Sequence, residues 1–179
     1  MCQLPVWTST PGDIMKRAHF RLMTVGAVGL LISMTMVAFA DDAKEAAIKK
    51  DRKRIAGTWK IVSLEINGNK SSNEDASKLK VINDVDGSWS LHSEGNEVGR
   101  GTTTIDPTQT PKTIDIKSTT GQDQGKTMLG IYEVDKNKRK LCFAPAGQNR
   151  PTEFSSTAAN QHILVKFERV KGKKEISSR

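Results

Sequence analysis

Gly57-Thr58-Trp59-Lys60-Ile61-Val62-Ser63-Leu64-Glu65-Ile66-Asn67-Gly68 is the stretch that decides how the chain is read. A Gly-x-Trp opening leads into a run of strand-forming residues with period two, and Asn-Gly closes it with a dipeptide that accepts positive φ. It reads as the first strand of an all-β domain. Seven more short strands follow at the spacing of a sandwich or barrel: 78–83, 88–93, 97–105, 113–119, 127–134, 140–144 and 162–170. Asp84-Val85-Asp86-Gly87, Ser93-Glu94-Gly95-Asn96 and Asp135 to Arg139 supply turns, and Asp106 to Pro111 breaks pairing.

Alternation gives these strands an apolar face. Trp59 with Ile61, Leu79 with Val81, Trp89 with Leu91, and Ile114 with Ile116 fall on single faces. Leu129 with Ile131, Leu141 with Phe143, and Ile163 with Val165 and Phe167 do the same. The first strand also carries Val62, Leu64 and Ile66 on its other face, which calls for a bulge or for cover by a helix. Short turns between sequential antiparallel strands favour an eight-stranded up-and-down barrel, which leaves no edge open. Such a barrel is either packed solid or hollow enough for one small ligand. The candidate lining of a hollow interior is Trp59, Ile61, Trp89, Leu91, Ile131, Phe143 and Phe167.

Ahead of the barrel, Lys16, Arg17 and Arg21 precede an uncharged apolar run from Leu22 that ends in Ala38-Phe39-Ala40. Basic region, apolar region and small-residue site together read as a signal peptide spanning residues 1–40, with Met15 as the natural start. The expected location is therefore periplasmic or secreted, and membrane contact is expected only through an uncleaved signal segment. Cleavage after Ala40 removes Cys2 and leaves Cys142 without a disulfide partner, so the thiol is expected to be buried as a small hydrophobe. Residues 41–56 are rich in helix formers and read as a helical leader, suited to plug one barrel end, with Gly57 at its C-cap. The barrel is expected over 57–170, and 171–179 is expected to be a disordered basic tail.

The formal charge is +8 over 179 residues, but the Lys and Arg are dispersed and are not interleaved with aromatic residues as on an RNA-binding sheet. No nucleic-acid partner is expected. His92 and His162 alternate with inward residues and have no acid or thiol at a ligand spacing, so neither a metal nor a cofactor is expected. Gly121 to Thr127 ends in Gly-Lys-Thr, but its first glycine is one residue too close for a phosphate-binding loop and no strand-loop-helix unit surrounds it. Cys142 has no visible base, and the chain is expected not to be an enzyme. The long loop 145–161 carries Arg150 and Glu153, which can recognise a charged ligand at a barrel mouth or pair with each other.

Several ordered motifs resemble one family. Gly57-Thr58-Trp59, Ile105-Asp106-Pro107, Pro111 to Ile116, Gly125 to Glu133, Leu141 to Ala144 and Arg150 to Phe154 are similar to the uncharacterised lipocalin-like domain abundant in planctomycete bacteria. The resemblance runs from about Ile55 to Arg169 and implies a lipocalin-like barrel in an exported bacterial protein. It also implies a structural role for Gly57, Trp59 and Arg169, with the arginine lying over the indole at the closed end. Two functions follow as expectations. One is binding of a small apolar or amphipathic ligand; the other is a filled barrel that contacts an envelope protein or polymer through its loops.

Overall fold

Strand β1 (Gly57–Ile66) pairs antiparallel with three others: the two-residue β2 (Asn69–Lys70), then β3 (Leu79–Asn83), and β9 (Ile163–Arg169) at the far end of the chain. Between them run β4 (Ser88–Ser93), β5 (Asn96–Asp106), β6 (Thr113–Ser118), β7 (Thr127–Val134) and β8 (Lys138–Phe143), each paired with its sequence neighbours. The β1–β9 ladder closes this meander into an antiparallel barrel of eight strands, with β2 as a short flap on β1. The structure is a computed structural model and describes residues 41–121 and 123–171. The expected signal segment (1–40) and the tail beyond 171 lie outside the described residues. Among the described residues, no helix is long and apolar enough to cross a membrane.

The expected strands are in place with small shifts at their ends. Two short elements were not anticipated. These are β2 and α2 (Asn73–Ser77), whose N-cap Ser72 accepts from Asp75 N and whose Ala76 is buried. The helical leader is α1 (41–55).

Apolar residues on both faces of β1 are explained by a bulge. Ile61 pairs with Phe167 and Ser63 with Lys166, so Val62 is an extra residue. Trp59 and Ile61 point inward before it, and Leu64 packs against the same core after it.

Strand β7 corrects the expected facing. Tyr132 and Val134 are buried in the barrel core with Met128 against it, whereas Ile131 packs outside with Cys142, Leu164 and Phe154. The register requires this. Tyr132 is opposite Leu141, whose side chain is interior, and Ile131 is opposite Cys142. The loop 145–161 lays Phe154 over that outer patch, so β7 is covered on both sides and its apolar alternation carries no facing information.

Helix α1 closes one end. Ile55 is buried and Ile48 half-buried against the core, and Asp51 accepts from Lys112 Nζ at 2.7 Å and from the Tyr132 hydroxyl at 3.0 Å. Burial, followed by the Asp51 carboxylate, pushes the Tyr132 phenol above its ordinary range. Lys44 reaches Asp106 at 2.8 Å, and this contact, with the bonds from Thr108, holds the Asp106 carboxyl below its usual range.

Under the helix end lies Trp59, 0% exposed, donating from Nε1 to Ile55 O at 2.7 Å. The Arg169 guanidinium sits 4.2 Å from the indole centroid. It donates to Lys136 O at 2.8 Å, to Ala56 O at 2.7 Å and to Arg54 O. Gly57 has φ +111, and a Cβ there would meet Arg169 Nη1 at 2.9 Å, so the glycine of Gly-x-Trp makes room for the arginine. Replacing Trp59 by Ala removes a fully buried aromatic and its stacked cation, with an expected loss of about 3–5 kcal/mol. A urea-unfolding midpoint unchanged by the substitution would contradict the closing role.

Candidate functional site

The barrel is hollow. A cavity of about 330 Å³ runs from Asn83 and Arg139 to the 119–127 hairpin loop, where Thr120, Gly121 and Asp123 border it. Its walls are mostly apolar, with Leu79, Val81, Ile116, Met128 and Val165 among the side chains that form them and Thr103 and Ser118 interspersed. That volume is at the small end of ligand pockets, which span about 300–1,000 Å³.

Five of the expected lining residues are in this wall: Ile61, Trp89, Leu91, Phe143 and Phe167. Trp59 and Ile131 are not. Trp59 is consumed by the closed end, and Ile131 lies on the outer face under Phe154. Trp89 donates from its indole to Thr102 O at 3.3 Å and lies beside Gly101, where a Cβ would meet Trp89 Cζ2 at 2.9 Å. A Cβ at Gly101 would meet the Lys117 carbonyl oxygen first, so the glycine admits the close approach of β6 as well as the ring. Gly99, opposite Leu91 in the ladder, also borders the cavity, and a Cβ there would meet nothing within 4 Å.

Arg139 was not anticipated. It stands two residues before Leu141 on β8 and so shares that residue's inward face; ending the strand at Lys140 had assigned it to a polar turn. It is 4% exposed and borders the cavity. Its guanidinium lies 4.3 Å from the Phe167 ring centroid and 5.1 Å from that of Trp59. Its Nε has no hydrogen-bond partner, and among the described residues no carboxylate pairs with it. Burial first, then the neighbouring Arg169 charge, pushes its pKa down to about 9, so it remains charged at neutral pH. Asn83, 6% exposed, also borders the cavity with its Nδ2 unpartnered.

Two arginines therefore meet one tryptophan on different terms. Arg169 has all its groups engaged; Arg139 has ring contacts and no anion. Stacking on aromatic faces returns about 2 kcal/mol for a desolvated cation, against an effective burial penalty of several kcal/mol. Arg139 is thus a net cost to the fold. Arg139→Met, measured by urea unfolding, is expected to be at least as stable as wild type, with a gain of about 1–4 kcal/mol. A clear loss of stability would mean that the arginine serves packing instead.

The loop pair does not meet. Arg150 donates to Ile114 O at 3.0 Å, Gly130 O at 2.7 Å and Asp115 Oδ1 at 2.6 Å, while Glu153 accepts from Ser155 Oγ at 2.9 Å. Arg150 is spent on stapling the loop 145–161 to β6 and β7, on the barrel's outside, rather than on a ligand at the mouth. Cys142 is buried as expected, with Sγ 3.4 Å from Ser155 O, and burial raises its pKa. At the Gly-Lys-Thr segment, Gly125 N is bonded to Ser118 O and Lys126 N to Asp123 O, the bonds of a turn between β6 and β7. His92 contacts Ser90 Oγ at 3.0 Å, and no cluster of metal-ligating side chains occurs among the described residues. Arg150→Ala is expected to cost about 2 kcal/mol, the scale of hydrogen bonds to a charged group, and to expose the loop to limited proteolysis. Unaltered cleavage would refute the staple.

Fold and interior together define a closed antiparallel β-barrel with one apolar cavity and a buried cation at its base. Compared with known proteins, the chain matches no family model, no curated protein and no solved structure.

Proposed function

We propose that the protein is an exported, lipocalin-like binding barrel that holds one small apolar or amphipathic molecule in its interior. The observation that carries this reading is the cavity of about 330 Å³ with mostly apolar walls, closed at one end by α1 and Trp59. A barrel filled by its own side chains, acting through its loops on an envelope protein or polymer, would leave no such space. Export is supported by the basic segment, apolar run and Ala38-Phe39-Ala40 site of the sequence, and the bacterial lipocalin-like family by the Gly-x-Trp strand and the motifs that follow it. No covalent step belongs to this reading; the polar groups of the interior orient a ligand.

The neutral dye N-phenyl-1-naphthylamine reports such a space, because its emission rises in apolar surroundings. Titration is expected to show one saturable site per chain. Gly99→Trp, which projects an indole into open cavity space, is expected to abolish the signal and leave the melting temperature within a few degrees. Absence of any saturable rise in the wild-type protein would overturn the proposal.

A further inference from the structure

We propose that the ligand is a single-chain carboxylate, an apolar tail with one anionic head, bound with its carboxylate on Arg139 at the base of the cavity. This rests on the reading of the cavity as a ligand site and names the chemistry of its occupant.

Arg139 is the one inward charge on the cavity wall that has no counter-ion among the described residues, and its Nε is buried without an acceptor. The other cations near that end are already engaged. Arg52 donates to Thr103 Oγ1 at 2.6 Å, Lys112 to Asp51 at 2.7 Å, and Arg169 to three carbonyls. Contacts with the rings of Trp59 and Phe167 satisfy none of the guanidinium N–H donors, which are left for a planar acceptor. A carboxylate fits that fork with two parallel bonds. Asn83 Nδ2 is a second unpartnered donor on the same cavity. The head carries a single charge, because only one cation there is uncompensated; a dianion would bring a second charge with nothing to meet it. The tail is apolar because the walls from Val81 to Met128 are mostly apolar. A neutral apolar molecule would fill the same walls and leave the guanidinium as it stands, desolvated and unpaired.

The test is displacement of N-phenyl-1-naphthylamine by decanoate and by 1-decanol, ligands of one chain length that differ in the head. Decanoate is expected to displace the dye from the wild-type protein at a concentration at least about tenfold lower than 1-decanol, the discrimination of a charged hydrogen bond. In Arg139→Met the ratio of the 1-decanol to the decanoate concentration needed for half-displacement is expected to fall to about one, whatever the variant's own affinity for the dye. Arg139→Lys, which keeps the charge without the fork, is expected to retain part of it. Equal displacement by acid and alcohol in the wild-type protein overturns the proposal and leaves the cavity reading intact. So does a preference that survives Arg139→Met. If the dye finds no site at all, the cavity reading falls and this proposal with it. The wild-type comparison needs no variant and decides the matter should Arg139→Met fail to fold.

Discussion

The stack of Arg169 on Trp59 is the contact on which the rest of the barrel depends. It joins three parts of the chain that share no sequence neighbourhood: the end of β9, the start of β1 and the last turn of α1. The indole offers its face to the guanidinium and its N–H to Ile55 O, and the guanidinium spends its donors on carbonyls that the helix end and the β8 turn leave open. Burial of the ring supplies most of the energy. The hydrogen bonds supply direction, fixing which end of the barrel the helix covers. Trp59 and Arg169 seal this end with partners of their own, and the cavity begins just inside them, at Arg139 and Asn83.

Much of this was legible in the residues. Turn dipeptides and period-two runs located eight barrel strands, whereas the meeting of Trp59 with Arg169 at the seam between the first and the last was expected only from the resemblance. Legibility failed where a strand is covered on both sides. In β7, Leu129 and Ile131 form one apolar row and Met128, Gly130, Tyr132 and Val134 the other, so alternation alone could not choose. The partner strand decides: Leu141 and Phe143 are inside and Cys142 outside, and the register carries that choice across to Tyr132 and Ile131. Cover for the outer row comes from Phe154, whose loop has no periodicity to read.

The interior was legible by its walls and not by its base. Ile61, Trp89, Leu91, Phe143 and Phe167 followed from facing alone. Arg139 lies on the same alternation as Leu141, but a charged residue next to a polar turn is ordinarily solvated, and that general expectation displaced the specific one. Arg150 erred in the opposite sense. A charged side chain in a long loop suggested recognition, while in the fold its donors are saturated by Ile114 O, Gly130 O and Asp115. Whether an arginine is free to meet a ligand depends on acceptors that tertiary structure brings from distant strands, about which local sequence carries little.

The β1–β9 ladder has a further consequence for the order in which the chain becomes protein. The first and last strands of the barrel are partners, so the closing contacts span almost the whole domain and the helix end is secured by a residue 113 positions away. Topologies dominated by such distant pairings form slowly. Until Ile163–Arg169 is in place, β1 and β8 each present an unpaired edge, and β1 is the longer and more apolar of the two. The meander from β3 to β8 can assemble from neighbours as it emerges. Its closure has to wait for the C-terminal strand, which makes a chain truncated before residue 163 an open sheet rather than a smaller barrel.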